Sequence, residues 1–119
     1  MASPLRTGQI VWAAVADANG IKKARPAIVV TPDERITEGG SLELVAITSR
    51  VSDPLPDDHV LLPWHAQGHP RTGLNRKCAA VCGWIARIET TDIQNIAGLI
   101  SGKILEDILS KVASMPPSA

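Results

Sequence analysis

Apolar residues occur along the chain in five short runs, separated by polar residues, glycine or proline. Most of these runs are rich in valine and isoleucine, whose branched side chains favour β-strands. The first run is apolar at nearly every position, which predicts a strand covered on both faces and places Trp12 in the core. The pattern therefore predicts five strands, at residues 9–16, 27–30, 42–49, 59–62 and 78–88.

The connections between these runs carry turn signals. Asn19 and Gly20 follow the first run, and both residue types accept positive φ, so the lysines after them are expected to project from a loop. The longest irregular segment, residues 64–75, holds two histidines, two glycines and one arginine. Loops of this length are more often functional than not, which makes the segment a candidate part of a site.

The periodicity changes after the fifth run. Thr90 or Thr91 is placed to cap a short helical turn that begins at Asp92. A longer helix begins at Ser101 or Gly102, where one apolar stripe recurs at helical spacing: Ile104, Leu105, Ile108, Leu109 and Val112. Five short strands, turn-rich connections and one terminal helix predict a mainly β protein, a small antiparallel barrel with a C-terminal α-helix.

Length and composition narrow the class of protein. The 119 residues suit a single domain over residues 1–119, with a core at about 8–113 and flexible ends. No apolar run approaches the roughly 20 residues that a membrane span needs. The first seven residues lack the apolar segment of a secretory signal. We therefore expect a cytoplasmic protein that does not enter a membrane.

Net charge does not mark the chain as a nucleic-acid binder, because twelve Lys and Arg balance twelve Asp and Glu. The basic residues nevertheless gather locally in two clusters: Lys22, Lys23 and Arg25, and Arg71, Arg76 and Lys77. Such clusters fit either a local basic groove or ordinary solvated loop charges. Sequence alone leaves both interpretations open.

Cys78 and Cys82 are the chain's two cysteines, too few for a disulfide scaffold or a zinc site. On one strand they would lie about 13 Å apart at roughly 3.3 Å per residue, which is beyond disulfide reach. We expect two buried free thiols, and neither a metal nor another cofactor.

The stretch KKARPAIVVTP, residues 22–32, places three cations directly before a buried strand. Pro26 cannot donate a ladder hydrogen bond, and prolines in sheets are confined to first or edge positions. Arg25 is therefore expected at the entrance of the strand, with its guanidinium solvated and its backbone fixed, where an anion would bind. The run LELVAITS, residues 42–49, ends in two hydroxyl-bearing residues and is predicted to be the neighbouring strand.

Five short motifs resemble, in order and spacing, the MazF/PemK toxin endoribonucleases: GQIVW at 8–12, ARPAIVV at 24–30, AITS at 46–49, TGLNRKC at 72–78 and WIARI at 84–88. The resemblance covers roughly residues 8–112. It implies the SH3-like barrel of the CcdB/MazF/PemK plasmid maintenance toxins, usually as a homodimer. It also implies the toxin of a type II toxin–antitoxin system, an mRNA interferase that is held inactive by a cognate antitoxin protein.

Cleavage of single-stranded RNA needs no metal, since the 2′-hydroxyl attacks the adjacent phosphorus and leaves a cyclic phosphate. An arginine fork matches two phosphate oxygens, so Arg25 is expected to stabilise the transition state, and the resemblance implies the same residue. The resemblance further implies that Thr48 positions the phosphate or the attacking hydroxyl. The remaining RNA-binding candidates are basic, polar or aromatic: Lys22, Lys23, Ser49, Arg50, Trp64, His65, His69, Arg71, Arg76 and Lys77.

The chain departs from the family pattern at the fifth predicted strand. Gly83 and Trp84 stand where many members carry a polar or acidic residue, and Cys78 stands where they often have serine. The sequence therefore does not identify the group that accepts the proton of the attacking hydroxyl, and the chain's three histidines are candidates for this role. Two alternatives also remain: a CcdB-like toxin that poisons DNA gyrase without cutting RNA, and a degenerate member that no longer cuts.

Overall fold

The computed structural model describes residues 5–17, 19–37, 39–100 and 102–114. Of the ends predicted to be flexible on either side of a core at about 8–113, residues 1–4 and 115–119 lie outside the described residues, as does Ser101. The described chain is mainly β with one C-terminal helix, as predicted. Its strands are β1 (Gln9–Ala16), β2 (Lys22–Val29), β3 (Ser41–Thr48), β4 (His59–Leu61), β5 (Ala79–Glu89) and β6 (Ile93–Leu99), and its helix is α1 (Gly102–Ser114).

The strands form one antiparallel sheet in the order β4-β5-β3-β2-β1-β6. The end strands β4 and β6 are not paired with each other, so the sheet is not closed by a ladder into the predicted barrel. Strand β1 lies between β2 and β6, which confirms the prediction that its apolar run forms an internal strand. No helix in the described part of the chain is long and apolar enough to cross a membrane.

Strand β6 was missed by the sequence prediction, which placed a helical turn from Asp92. The structure instead has a single 3-10 turn at Thr90–Asp92 that leads directly into the strand. The turn is closed by a capping box, in which the backbone N–H of Glu89 donates to Asp92 Oδ2 at 2.9 Å. The same residue pattern begins longer helices, so it does not reveal that the chain reverses here to pair with β1.

Both faces of the sheet are buried, which explains why several strands are apolar throughout. On one face, α1 packs against the sheet through Ile104, Leu105, Ile108 and Val112. The opposite face is covered by residues from outside the sheet, including Leu5 and Ile36. The buried residues of this second face come from three neighbouring strands: Val11, Ala13, Ala27, Val29, Leu42 and Leu44.

Strand β2 pairs with β1 from Lys22 onward, but it pairs with β3 only through Ala27–Val29. We call this short pairing the β2–β3 joint. The backbone N–H of Val30 donates to Glu43 O at 3.0 Å, and groups on one side of a strand recur at every second residue. Residue 26 should therefore also face β3, and as a proline it has no N–H to donate. The joint therefore ends at Ala27, the residue that follows Pro26 in the sequence.

Arg25 lies inside β2, paired with Ala13, rather than at the strand entrance that we predicted. Pro26 limits pairing on the β3 side only, so the β1 side of the ladder continues past it to Lys22. This part of β2 has a strand partner on one side and an open edge on the other. Of the two positions open to a proline, Pro26 therefore occupies an edge rather than the first position of the strand.

The two cysteines are buried free thiols, as predicted. Burial raises the pKa of the Cys82 thiol to about 11 and also raises that of Cys78. Across residues 5–17, 19–37, 39–100 and 102–114, no group of three or more His, Cys, Asp or Glu side chains is arranged to hold a metal ion.

Candidate functional site

A cleft of about 820 Å³ opens where β2 and β3 separate beyond the joint. One wall is the open-edged part of β2, and the other is the end of β3 with the residues that follow it. The rest of the lining includes a loop segment at 73–76, Trp84 of β5 and Trp12 of β1, together with Asp17, Cys78 and Ala97. The termination of the ladder at Pro26 therefore creates the cleft and brings Arg25 and Thr48 to opposite walls of it.

Arg25 presents most of its hydrogen-bonding capacity to this cleft. Its NH2 atom lies 3.9 Å from Asp17 Oδ2, and the Arg25 side chain is 26% exposed. Its Nε is buried and has no hydrogen-bond partner among the described residues. The guanidinium lies over the ring of Trp84, with Cζ 5.1 Å from the ring centroid. The remaining N–H donors are free to bind an anion.

Asp17 is held beside Arg25 by the turn between β1 and β2. Its Oδ1 accepts hydrogen bonds from the backbone N–H groups of Asn19 at 2.8 Å and Ile21 at 3.0 Å. The Ile21 bond is the largest cause of a lowered Asp17 pKa; partial desolvation opposes it, and the Asn19 bond and the Arg25 charge add to it. Asp17 is therefore a fixed carboxylate at neutral pH, and it offsets part of the positive charge in the cleft.

Thr48 ends β3 and is half-buried, paired with Ala79 of β5. Its Oγ1 accepts a hydrogen bond from the backbone N–H of Arg50 at 3.1 Å, which fixes the side chain. The hydroxyl donates no hydrogen bond within the described residues. It is therefore available as a donor to a ligand in the cleft.

Trp84 reaches the cleft because β5 carries a bulge. Ile47 pairs with Ala80 and Val45 pairs with Ile85, so β5 advances five residues while β3 advances two. Trp84 lies in this bulge, and its indole Nε1 donates to Ala16 O at 3.0 Å. The bond ties β5 to the end of β1, although β3 and β2 lie between these strands in the sheet.

The loop that completes the cleft is held against β6. The backbone N–H of Leu99 donates to Arg71 O at 2.8 Å, and the buried Thr72 donates through its hydroxyl to Pro63 O at 2.8 Å. Gly98 allows close approach, because a Cβ there would lie 2.4 Å from backbone atoms of Arg71 and Thr72. The wall at 73–76 therefore depends on tight backbone packing.

A family model described as PemK-like, MazF-like toxin of type II toxin-antitoxin system matches residues 6–115. The chain belongs to this family. The match spans all six strands and the helix, so the resemblance seen in five short motifs extends over nearly the whole chain. A search of curated proteins found no match to this PemK/MazF-family toxin.

Solved structures similar to this PemK/MazF-family toxin share its fold at low sequence identity. A MazE–MazF structure from Deinococcus radiodurans has a TM-score of 0.69 at 18% identity and covers 94% of this chain and 95% of its own. A mycobacterial endoribonuclease in complex with its cognate antitoxin has a TM-score of 0.63 at 19% identity, with 96% and 93% covered. The Mycobacterium tuberculosis toxin MazF-mt6 has a TM-score of 0.62 at 20% identity, with 87% and 90% covered.

The cleft brings together half of the residues that the sequence singled out: Lys23, Arg25, Thr48, Ser49, Arg50 and Arg76. The others do not line it: Lys22, Trp64, His65, His69, Arg71 and Lys77. Lys22 is paired with Ala16 at the far end of β2, and Arg71 contributes its carbonyl to β6. Contact of this second group with RNA stays a prediction.

The histidines have structural contacts away from the cleft. His65 Nδ1 accepts a hydrogen bond from Gln67 N–H at 3.1 Å, and His69 Nδ1 accepts from Arg71 N–H at 3.1 Å. His59 lies on β4, with its Nε2 3.6 Å from Asp58 Oδ1. Each histidine thus makes a local contact in its own loop or edge strand, and none of the three lines the cleft.

Among the cleft residues that the sequence did not predict as site residues are Trp12, Asp17 and Trp84. Trp12 was predicted in the core but is 37% exposed, because it lines the cleft. Trp84 reaches the same cleft from the β5 bulge. For Asp17 a signal existed, since an aspartate two residues before Asn-Gly is a common turn-forming acceptor.

Proposed function

We propose that this PemK/MazF-family toxin is an endoribonuclease that cuts single-stranded RNA at the cleft between β2 and β3. The observation that carries the proposal is the pairing of Arg25, whose N–H donors are largely unoccupied, with the free hydroxyl of Thr48 across one opening. Family membership supports the same activity.

The reaction needs few protein groups. The 2′-oxygen forms a bond to phosphorus, the bond from phosphorus to the 5′-oxygen breaks, and the products are a cyclic phosphate and a free 5′-hydroxyl. Charge builds on the phosphoryl oxygens in the transition state, and the Arg25 fork is suited to bind two of them. Thr48 positions the phosphate through its hydroxyl. Removing one such donor costs about 3 kcal/mol or more of transition-state stabilisation.

The rest of the cleft supports binding of an RNA strand. Lys23, Arg50 and Arg76 place positive charge along the opening, which suits a phosphate backbone. Trp12 offers an exposed ring in the cleft on which a base could stack, whereas Trp64 does not line the cleft. These side chains would bind RNA largely independently of its sequence.

We further propose a cognate antitoxin protein as partner, by similarity to the MazE–MazF and endoribonuclease–antitoxin structures. Exposed apolar side chains on the edge strand β6, Ile96 and Leu99, support a homodimer with two-fold symmetry. The cytoplasm is the compartment in which such a toxin would meet its RNA. A monomeric mass at micromolar concentration, together with full activity, would remove the homodimer from the proposal.

The function is tested by incubating purified toxin with mixed RNA in excess chelator and mapping the fragment ends. We expect cleavage with cyclic phosphate and 5′-hydroxyl ends. Arg25→Ala should lower the rate by about 10²-fold or more. Arg87→Ala is the matched control, because Arg87 is exposed on β5 and pairs with Glu43 at 3.8 Å, outside the cleft.

Three results would count against the proposal. Loss of cleavage in chelator would show that a metal is needed. Equal rates for Arg25→Ala and Arg87→Ala would make Arg25 structural. An inability of the folded wild type to cut any RNA would favour the gyrase-binding or degenerate alternatives, which a gyrase supercoiling assay then separates.

A further inference from the structure

Few bonds fix the direction of the Arg25 guanidinium. Its contact with Asp17 joins NH2 to Oδ2 at 3.9 Å, which is longer than a hydrogen bond. Its buried Nε has no hydrogen-bond partner in the described part of the chain. Hydrogen bonding therefore leaves the fork able to turn, although stabilisation of a phosphoryl transition state requires donors at fixed positions.

Trp84 supplies a contact of another kind. The Arg25 Cζ lies 5.1 Å from its ring centroid, inside the range of about 6 Å over which a cation is attracted to an aromatic face. The ring itself is fixed, since its Nε1 donates to Ala16 O at 3.0 Å. A ring face restrains the guanidinium plane and uses none of its N–H donors.

We propose that Trp84 is a positioning residue for Arg25, an inference that rests on the proposed ribonuclease function. The ring holds the guanidinium plane so that its donors meet the phosphate in the cleft. The departure from the family pattern at Gly83 and Trp84 fits this role. A carboxylate at position 84 within hydrogen-bond distance of Arg25 would occupy donors that the phosphate needs, whereas an aromatic face leaves them unoccupied.

Two substitutions separate the ring face from the rest of the side chain. Trp84→Leu and Trp84→Phe both lose the hydrogen bond to Ala16, but only phenylalanine keeps an aromatic face. In single-turnover cleavage, we expect Trp84→Leu to lower the rate constant at saturating RNA about three- to thirty-fold. RNA affinity should change little, and Trp84→Phe should recover most of the rate. Equal losses in both variants, or a wild-type rate for Trp84→Leu, would overturn the proposal.

Trp12→Leu is the matched contrast. Trp12 lines the same cleft, but among the described residues only Trp84 has its ring over Arg25. We expect Trp12→Leu to weaken RNA affinity and to retain the rate constant at saturation. A loss of rate constant in Trp12→Leu as large as that in Trp84→Leu would show that neither tryptophan acts specifically on Arg25.

Nuclear magnetic resonance of the free protein tests the contact without cleavage. The ring current of the aromatic side chain at position 84 should shift the Arg25 side-chain resonances upfield in the wild type and in Trp84→Phe. The shift should vanish in Trp84→Leu, which has no ring. Absence of the shift in the wild type would overturn the positioning role even if RNA is cut. A clear shift in a protein that cuts no RNA would instead sink the proposed function and leave the contact in place.

Discussion

Replacement of Gly98 by alanine should destabilise the protein and disturb the cleft together. An added Cβ would lie 2.4 Å from Arg71 O and from the carbonyl carbon and oxygen of Thr72. Ordinary contacts to a Cβ begin about 1 Å farther away, so the loop backbone must move by about that distance. Arg71 O also accepts the hydrogen bond from Leu99 N–H, which the movement would lengthen.

The size of the effect follows from three contributions. Forcing an extra carbon into tight packing costs about 1–3 kcal/mol. A weakened hydrogen bond adds about 0.5–1.5 kcal/mol, and alanine's smaller unfolded-state entropy returns about 0.4–1 kcal/mol. The net loss of unfolding free energy is about 2 kcal/mol. For a chain of this size, that lowers the melting temperature by about 5–10 °C.

Gly83→Ala is the control for this change. Gly83 also lies in a strand without positive φ, and its added Cβ would meet only the Asp58 side chain, at 2.8 Å to Oδ2. A side-chain carboxylate can rotate away, so the melting temperature should change little. Thermal unfolding followed by far-ultraviolet circular dichroism compares the two variants. Equal melting temperatures would show that the loop yields freely and that the packing argument is wrong.

Replacement of Gly98 by alanine should also slow RNA cleavage at temperatures where the variant remains folded. The loop wall at 73–76 follows Arg71 and Thr72 directly, so it moves with them. A displacement of about 1 Å near a reacting group can cost about 10²-fold in rate. Single-turnover rates at 10 °C below the variant's melting onset, compared with Gly83→Ala, measure this loss.

Three further outcomes are expected. His69→Ala should lower the melting temperature by removing a turn acceptor, while the single-turnover rate and its pH profile stay unchanged; a rate loss of 10²-fold would make His69 a proton carrier. Arg76→Ala should reduce the slope of log RNA affinity against log salt concentration by about one unit, because Arg76 lines the cleft. Lys77 lies outside the cleft, so Lys77→Ala should leave this slope unchanged, and equal slopes in the two variants would contradict the assignment. At pH 8 the thiols of Cys78 and Cys82 should resist alkylation in the folded protein and react on unfolding, because burial keeps their pKa raised; rapid labelling of the native protein would show that the thiols are accessible.

The hydrophobic pattern was sufficient to predict the strands that are buried on both faces and the amphipathic helix. It was not sufficient where the ladder is irregular. Strand β6 carries Gln94, Asn95 and Gly98 among its apolar residues, so neither strand nor helix periodicity is clear. Trp84 lies in the β5 bulge, which interrupts the alternation of side chains between the two faces of that strand. Trp12 stays in regular register with β2, but it lies where the sheet face is open to the cleft.

The candidate site was predictable in the part that depends on strand ends. Arg25 precedes the proline that stops the ladder, and Thr48 ends its strand, so residue type and position together indicate an anion site. The contact of Arg25 with Trp84 was not predictable, because Trp84 reaches the cleft through the β5 bulge, which is a tertiary feature. The turn at Asp17 is local and carried a sequence signal, but its position beside Arg25 depends on the pairing of β1 with β2. The sequence did not reveal that the Nδ1 atoms of His65 and His69 accept hydrogen bonds from nearby backbone N–H groups. A role of these histidines in proton transfer stays a prediction.

The β2–β3 joint divides the sheet into two plates. Strands β6, β1 and β2 form one plate, and β3, β5 and β4 form the other. Arg25 belongs to the first plate and Thr48 to the second, and the ladder between the plates has only the three residue pairs of Ala27–Val29. The width of the cleft therefore depends on this short ladder and on the hydrogen bond from Trp84 Nε1 to Ala16 O, which joins the two plates. A molecule that separated the two plates at the β2–β3 joint would move Arg25 away from Thr48, and so would inhibit the toxin without contacting either side chain.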